Sequence, residues 1–448
     1  MARAASGNGA RVAAYIAAAP GRNLPAEIED RARLCLADWL GCAIGAGDEP
    51  AGRVVRETAA GWKSTGSATV IYGGTAAAPF AALANGTLAH CLDFDDTHIG
   101  AVTHTSAPVW AATLALGEEL GADETTMLRA YVAGFETASR LGLGFGEVVT
   151  AHGWHGTGVF GRLGACAAAS ALLHLDEERA LHALGAAATQ AGGLTASFGT
   201  MAKPFHAGKA AMDGVIAAQL AKAGIIAATG VLEPGGGLDN VLVQDGSGRF
   251  APSDFTGWEI LNNSFKPYAA CHLTHPAVDA ARQMAPGAGA LQGLRMVKAE
   301  IAPLADQVTG RRSGAPKTGL EGKFDIKYCL ALGLHGKTLA AADFAEPWSA
   351  DPAILATAGK VEVVPDPAIG YTEARVALEY EDGRTDFRHI PIGKGHPGNA
   401  MGWDDMAAKF DTLVRPRLGA RTEALFGLVR ALGGGGVLAE IKGIVGRL

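Results

Sequence analysis

The stretch Ala77-Ala-Pro-Phe-Ala-Ala-Leu-Ala-Asn-Gly-Thr-Leu-Ala-His90, continuing into Cys91-Leu-Asp-Phe-Asp-Asp-Thr-His98, decides how this chain is read. Its first half is apolar or small almost throughout and has no polar stripe. That pattern predicts a helix buried on every side rather than an amphipathic surface helix. Asp93, Asp95 and Asp96 follow at its end, with His90 and His98 on either side. Carboxylates in such a setting are costly unless paired, protonated or wet. The ordinary explanation is that Asp95 or Asp96 caps the next helix. It suffices for any one of the three, but the cluster taken with its histidines points to a site.

Outward from this stretch the pattern repeats. Pro25 opens a helical run in which Ile28, Ala32, Cys35, Leu36 and Trp39 recur on one face. Thr105 to Leu120, Thr125 to Leu143, Gly158 to Leu175, Asp176 to Gln190 and Gly208 to Ala223 behave alike, with Gly or Asp between them. Dense alanine favours helix and lets neighbouring helices approach closely. After about Ser264 the period changes. Leu294 to Ala302, Lys360 to Pro365 and Ala374 to Tyr380 alternate as strands do, and Glu381-Asp-Gly383 is a turn into a return strand over Thr385 to Ile392. Lys323 to Leu334 and the residues around Leu339 read as helical, and helices resume from Asp404. The expected fold is mainly α with an inserted α+β domain. A large helical domain is built from both chain ends, 1–263 and 396–448, with a smaller α+β lid over 264–395. Gly433-Gly-Gly-Gly436 reads as a flexible joint, since neither a GxGxxG after a strand nor a GxxxxGK[ST] is present.

Of 448 residues, 48% are hydrophobic and 19% charged, which suits helices buried on several faces or a large subunit interface. A formal charge of −7 and a pI near 6.0 give no invitation to nucleic acid or an anionic membrane surface. No uncharged run is apolar enough to span a bilayer, and Met1 to Ala10 has no secretory core. Cys35, Cys42, Cys91, Cys166, Cys271 and Cys329 are scattered without CxxC spacing, as expected of reduced thiols in a cytoplasm.

Four further stretches concentrate titratable groups: Thr103 to Pro108, Ala151 to Thr157, Gly199 to Gly208 and Ser264 to His275. A lone histidine in any of them is more often a core or capping residue than a catalyst. Lys203 and Lys266 are stronger signals, because each precedes a proline in apolar or small surroundings and a desolvated lysine needs an anion beside it. In a chain of low basicity they read as carboxylate clamps. Histidines beside such clamps are what proton transfer next to a carboxylate requires.

Leu92-Asp-Phe-Asp-Asp-Thr97, Gly153-Trp-His-Gly-Thr157, Thr200-Met-Ala-Lys-Pro-Phe-His206, Phe265-Lys-Pro-Tyr268 and Pro316-Lys-Thr-Gly-Leu-Glu-Gly-Lys-Phe324 together resemble the MmgE/PrpD family, in its order. The family includes 2-methylcitrate dehydratases, cis-aconitate decarboxylases and an iminodisuccinate epimerase. The resemblance implies a helical domain with an α+β lid, a homodimer, and chemistry without metal or organic cofactor. It implies catalytic roles for Asp93, His104, His155, Lys203 and Tyr328, and substrate binding by Thr97, Lys203, His206, Lys266 and His272. His98 and His104 compete for one position after the Asp-rich motif. His155 stands in Gly-Trp-His-Gly-Thr where the family more often has Phe-His-Pro-Thr, and Cys271-His272 aligns loosely.

The leading expectation is a cytoplasmic, cofactor-free lyase acting on a small di- or tricarboxylate, with dehydration of a 2-methylcitrate-like hydroxy acid as first choice. Decarboxylation and epimerisation share its carbanion-like centre beside a carboxylate. One rival is a Mg²⁺-dependent all-α enzyme using Asp93-Phe-Asp-Asp96 as an aspartate-rich motif. It lacks a second such motif and leaves the Lys-Pro stretches unexplained. The other is a polycarboxylate-binding protein without catalysis, against which Lys203, Lys266, His155 and Tyr328 all argue.

Overall fold

A computed structural model describes residues 7–247, 250, 255–285, 291–345 and 350–448, so the first six residues of the N-terminal stretch lie outside it. Among the described residues the chain is mainly helical with two small sheets, and it divides into two compact units, Met1–Ser264 with Trp403–Leu448, and Phe265–Gly402.

In the first unit the principal helices are α1 (Ala26–Gly45), α2 (Ala78–Cys91), α3 (Ser106–Leu120), α4 (Glu124–Gly142), α5 (Gly156–Leu172), α6 (Glu177–Ala188) and α7 (Ala202–Lys222). A short antiparallel hairpin, β1 (Ala68–Val70) and β2 (Gly74–Ala76), precedes α2 and has no counterpart in the sequence reading. α5 is buried along its whole length, and α7 packs on both α5 and α2. Only glycine fits where α2 meets α7. A Cβ on Gly208 would lie 2.2 Å from the Leu83 carbonyl oxygen, and one on Gly86 would lie 3.0 Å from the Gly208 Cα. That close approach brings the start of α7 beside the end of α2.

α7 begins six residues before the expected Gly208, so Lys203 and His206 stand on its first turns and not in a loop. Pro204 is the third helical residue, where its missing N–H has no intrahelical partner to lose. Gly433–Gly436 is not a flexible joint. The Glu124 carboxylate accepts N–H groups from Gly433 (2.7 Å), Gly435 (3.0 Å) and Leu438 (2.8 Å), tying the loop to α4. Burial raises the Glu124 pKa, but these backbone donors reverse the shift and leave it lowered.

In the second unit β3 (Leu294–Ile301), β4 (Val361–Pro365), β5 (Ala374–Tyr380) and β6 (Thr385–Ile390) form one sheet in the order β4-β3-β5-β6. β3 and β4 run parallel and the other pairs antiparallel. Alternate residues of β3 and β5, among them Val297, Ala299, Val376 and Leu378, pack with Ala277, Ala281 and Leu330 of the helices His275–Met284 and Ile326–Leu334. The expected helix Lys323–Leu334 is two helices, Gly319–Lys323 and Ile326–Leu334, because Asp325 turns out of the first and caps the second through the N–H groups of Lys327 and Tyr328. Near Leu339 a left-handed residue (φ 54°) is followed only by a short 3₁₀ turn, Ala341–Phe344.

This unit extends to Gly402 rather than 395. Gly395 N donates to Asn399 O (2.9 Å) and Asn399 Nδ2 to Ile392 O (3.0 Å), folding residues 396–400 back onto it. At the other end, Ser264 belongs with the helices because it exchanges both backbone hydrogen bonds with Thr97 (2.9 Å each). No helix among the described residues is long and apolar enough to cross a membrane.

Candidate active site

α2 ends in an unusual turn. Asp93 adopts a left-handed backbone (φ 51°), and Val102, in the loop that leads back to α3, does the same (φ 50°). For a β-branched valine this conformation is strained, and strain of this kind concentrates at functional loops. The turn sends successive carboxylates of the Asp-rich motif in opposite directions.

Asp95 faces two imidazoles. His90 Nδ1, on the last turn of α2, lies 2.9 Å from Asp95 Oδ2 and 3.1 Å from Oδ1, while His104 Nδ1 lies 3.1 Å from Asp95 Oδ2. Burial raises the Asp95 pKa, but His90 and His104 outweigh it and hold the carboxyl well below its ordinary value. Asp93 sits beside it. Lys203 Nζ donates to Asp93 Oδ1 at 2.6 Å, and His104 Nε2 stands 3.7 Å from the same oxygen. Lys203 and Asp93 are both buried, so the anion that a desolvated lysine needs is Asp93. A ligand carboxylate would have to share that ammonium.

His155 caps α5 and is held by its N–H to Gly193 O (2.9 Å). Its Nδ1 lies 3.1 Å from Nδ1 of His206, one turn along α7 from Lys203. Two Nδ1 atoms at that distance share one proton. Burial first, then repulsion from His90 whenever that ring is protonated and from the Lys203 ammonium, pushes the His155 pKa well below 6.5, so the ring is neutral near pH 7. His206 is lowered in the same sense, by burial and then His90. The rings of His104, His90 and His155 are neighbours, with centroids 4.5 Å apart for the first pair and 5.8 Å for the second. The hydroxyl of Thr97 is buried and has no hydrogen-bond partner among the described residues.

His98 is excluded from this cluster. Its Nδ1 accepts from Ala101 N (3.1 Å), and its Nε2 lies 3.2 Å from Glu259 Oε2. The hydrogen bond from His98 is the largest of the influences that hold the Glu259 carboxyl at about 2. Of the two competing histidines, His104 is therefore the one that faces the aspartates.

Asp96 points to the back of the turn. Its carboxylate accepts from Asn263 Nδ2 (2.7 Å), Ser106 N (3.3 Å) and the Ser106 hydroxyl, which also meets the Tyr131 hydroxyl (2.7 Å). Its own N–H donates to Asp38 Oδ2 (2.8 Å), and Lys409 bridges Asp38 Oδ1 (2.5 Å) and Phe94 O (2.6 Å). Burial, reinforced by Asp38, raises the Asp96 pKa to about 7. The capping explanation thus holds for Asp96, which reaches across ten residues to the start of α3, and does not hold for Asp95.

Lys266, His272 and Tyr328 lie in the second unit. Lys266 is buried, with 1% of its surface exposed. His272 opens a 3₁₀ turn and stacks on His275 (4.7 Å). Cys271 N donates to Lys323 O (2.9 Å), which sets this turn against the end of the helix that precedes Tyr328. Burial raises the Tyr328 phenol to about 12, so it carries its proton near neutrality.

His90 and Asp95 were both in view in the sequence but not among the expected site residues. Their pairing crosses the end of a helix, where no periodic pattern registers it. His90, Asp93, Asp95 and His104 also offer atoms within 4.8 Å of one another, close enough for one cation. Each carboxylate already has partners, however, Lys203 on Asp93 and two imidazoles on Asp95.

A model of the MmgE/PrpD N-terminal domain matches residues 10–250, and one of the MmgE/PrpD C-terminal domain matches residues 268–431. Among curated proteins, the chain is 27% identical over 408 residues to a cis-aconitate decarboxylase of Aspergillus terreus, covering 84% of this chain and 83% of that one. It is 28% identical over 373 residues to the human cis-aconitate decarboxylase, covering 79% and 76%. The mouse protein of the same name is 33% identical over a shorter 218 residues, 45% of this chain and 43% of that one. With the two domain models together spanning most of its length, the chain belongs to the MmgE/PrpD family.

Proposed function

We propose that this protein is a cofactor-free lyase that decarboxylates a small unsaturated tricarboxylate of the cis-aconitate type. The observation that carries the reading is the buried Lys203–Asp93 pair, with His104 reaching both Asp93 and Asp95. Lys203 supplies charge for a substrate carboxylate, and a doubly protonated His104 would stand between the carboxylates of Asp93 and Asp95. The bond from carbon to the departing carboxylate breaks, and its electron pair moves across the neighbouring double bond to the carbon beside a retained carboxylate. That carbon takes a proton from His104, carbon dioxide leaves, and His104 is reprotonated from solvent. Dehydration of a hydroxy acid would use the same clamp and histidines, and the names of the curated relatives put decarboxylation ahead of it.

The test is turnover on cis-aconitate, citrate and 2-methylcitrate, with carbon dioxide release and product NMR as readouts, with and without EDTA. Carbon dioxide from cis-aconitate, undiminished by EDTA, is expected. Water loss from a hydroxy acid without carbon dioxide release would shift the reading to a dehydratase. Activity lost to EDTA and restored by Mg²⁺ or Fe²⁺ would overturn the cofactor-free mechanism. In this reading the enzyme works as a homodimer, and a stable monomer in sedimentation at micromolar concentration would count against it.

A further inference from the structure

We propose that His90 is a proton-relay residue of this site, oriented by Asp95 and acting through the histidines on either side of it. The proposal rests on the lyase reading above and adds a residue to it.

Three observations carry the assignment. First, both oxygens of Asp95 lie within 3.1 Å of His90 Nδ1. An ionised carboxylate only accepts, so the shared proton belongs to Nδ1. A neutral His90 then has a bare lone pair on Nε2. Second, that Nε2 is buried and has no hydrogen-bond partner among the described residues. Buried polar atoms are nearly always paired, and an acceptor left open at the centre of a site is placed to take a proton. Third, the His90 ring lies between His104 and His155, at 4.5 and 5.8 Å, and His155 is paired with the half-buried His206. The imidazoles thus lead from a partly exposed ring to the one beside Asp93.

In each cycle His104 loses a proton to the substrate carbon. His90 Nε2 accepts its replacement, which comes from solvent by way of His206 and His155, and becomes an imidazolium held against Asp95. It then releases the proton to the His104 ring; because Nε2 touches neither neighbouring ring directly, both hand-offs cross on a water or a substrate oxygen lodged between the rings. One N–H bond forms and one breaks at each ring, no electrons change hands, and the net proton consumed equals the one placed on carbon. Asp95 is the positioning residue that fixes the tautomer and compensates the charge.

The test has two arms on the full-length protein. The first uses ¹⁵N-histidine NMR on the wild type at pH 7.5 and needs no substrate. It should show His90 with Nδ1 protonated and Nε2 bare, with the signal assigned through bond connectivities in the wild type itself. A protonated Nε2 would overturn the proposal even if the variant failed to fold. The second arm follows His90→Gln on whichever polycarboxylate the wild type turns over. We expect kcat to fall by about 10²-fold with KM changed less than about threefold, and one limb of the pH profile to flatten. Asp95→Asn should reproduce the altered profile. A folded His90→Gln with kcat within twofold of wild type from pH 6 to 9 would overturn the relay, as would a lowered kcat with an unshifted pH profile. Should the wild type convert no polycarboxylate, the lyase reading fails, and the NMR arm still decides the His90 tautomer.

Discussion

Asp95 and Asp96 are adjacent in sequence and equally buried, yet their carboxyl groups shift in opposite directions. Asp95 is held well below its ordinary value and Asp96 is raised to about 7. Burial raises both. The difference lies in what each meets. Asp95 faces two imidazoles, whereas Asp96 meets neutral donors and a second carboxylate, Asp38. One turn with a left-handed residue at its start therefore serves two regions. The front, with Asp93, Asp95, His90, His104 and Lys203, sets two carboxylates against imidazoles and an ammonium. The back, with Asp96, Asp38, Asn263, Ser106 and Lys409, anchors the loop to α1, α3 and the helix Trp403–Leu418. Burial alone does not set the state of a carboxylate here; partner chemistry does.

The sharpest way to test the front cluster is to compare a histidine inside it with one that the loop turns away from it. His104→Gln keeps a hydrogen-bonding side chain but cannot donate and recover a proton near neutrality, so kcat should fall by about 10²–10⁴-fold in a protein that remains folded. His98→Gln removes the partner of Glu259 and should lower thermal stability while kcat of the folded enzyme stays within about threefold. Equal kcat losses in both variants would erase the distinction between site and scaffold.

The two buried lysines give the next effect. Lys203→Met and Lys409→Met each leave a buried aspartate without its cation, and each should cost about 3–5 kcal/mol of stability in denaturant titrations. Only Lys203→Met should also lose transition-state binding, by about 1.5–3 kcal/mol, read as a drop in kcat/KM of roughly ten- to a hundredfold. A Lys409→Met enzyme whose folded fraction shows the same drop would place the back region in the chemistry.

Most of the architecture was legible because its signals are local and periodic. Helices as apolar as α2 and α5 read as buried, and β3 and β5 alternate as half-covered strands. What escaped depends on contacts distant in sequence. Gly433–Gly436 looks flexible until Glu124, some 309 residues earlier, fills its backbone donors. The first turn of α7 looks like a loop because Lys-Pro-Phe-His has no periodic partner, although a helix tolerates proline there. The motifs named Asp93, His104, His155 and Lys203, and the fold brings these four side chains into one cluster with His206. They left His98 against His104 open, since both follow the aspartates and only the path of the loop separates them. They passed over His90 and Asp95 as partners because that bond depends on the left-handed turn at Asp93 between them.

The smallest expected effect concerns pH and comes from the back region. The Asp96 carboxyl, with its pKa near 7, keeps a proton between about pH 4 and 7 that an unfolded chain releases at its ordinary value of about 4. More protons are then bound in the native state, so this group's stabilisation is full below about pH 4 and is lost as pH rises through 7. Asp95 has the opposite sign. Its contribution is present above its ordinary value and is lost only in acid, so it is constant across the same window. Between pH 5 and 7.5, then, Asp96 imposes a downward slope on stability that Asp95 does not oppose. Asp96→Asn cannot ionise, and an amide oxygen in the place of Oδ2 can still accept from the Ser106 hydroxyl and Asn263 Nδ2. In the variant the fall in stability from pH 5 to 7.5 should shrink by about 1 kcal/mol or more, since one pKa unit corresponds to about 1.4 kcal/mol. Urea titrations of both proteins at three pH values measure it. A slope unchanged by Asp96→Asn would mean that Asp96 is ionised like Asp95, and the contrast between front and back would then rest on geometry without the difference in charge.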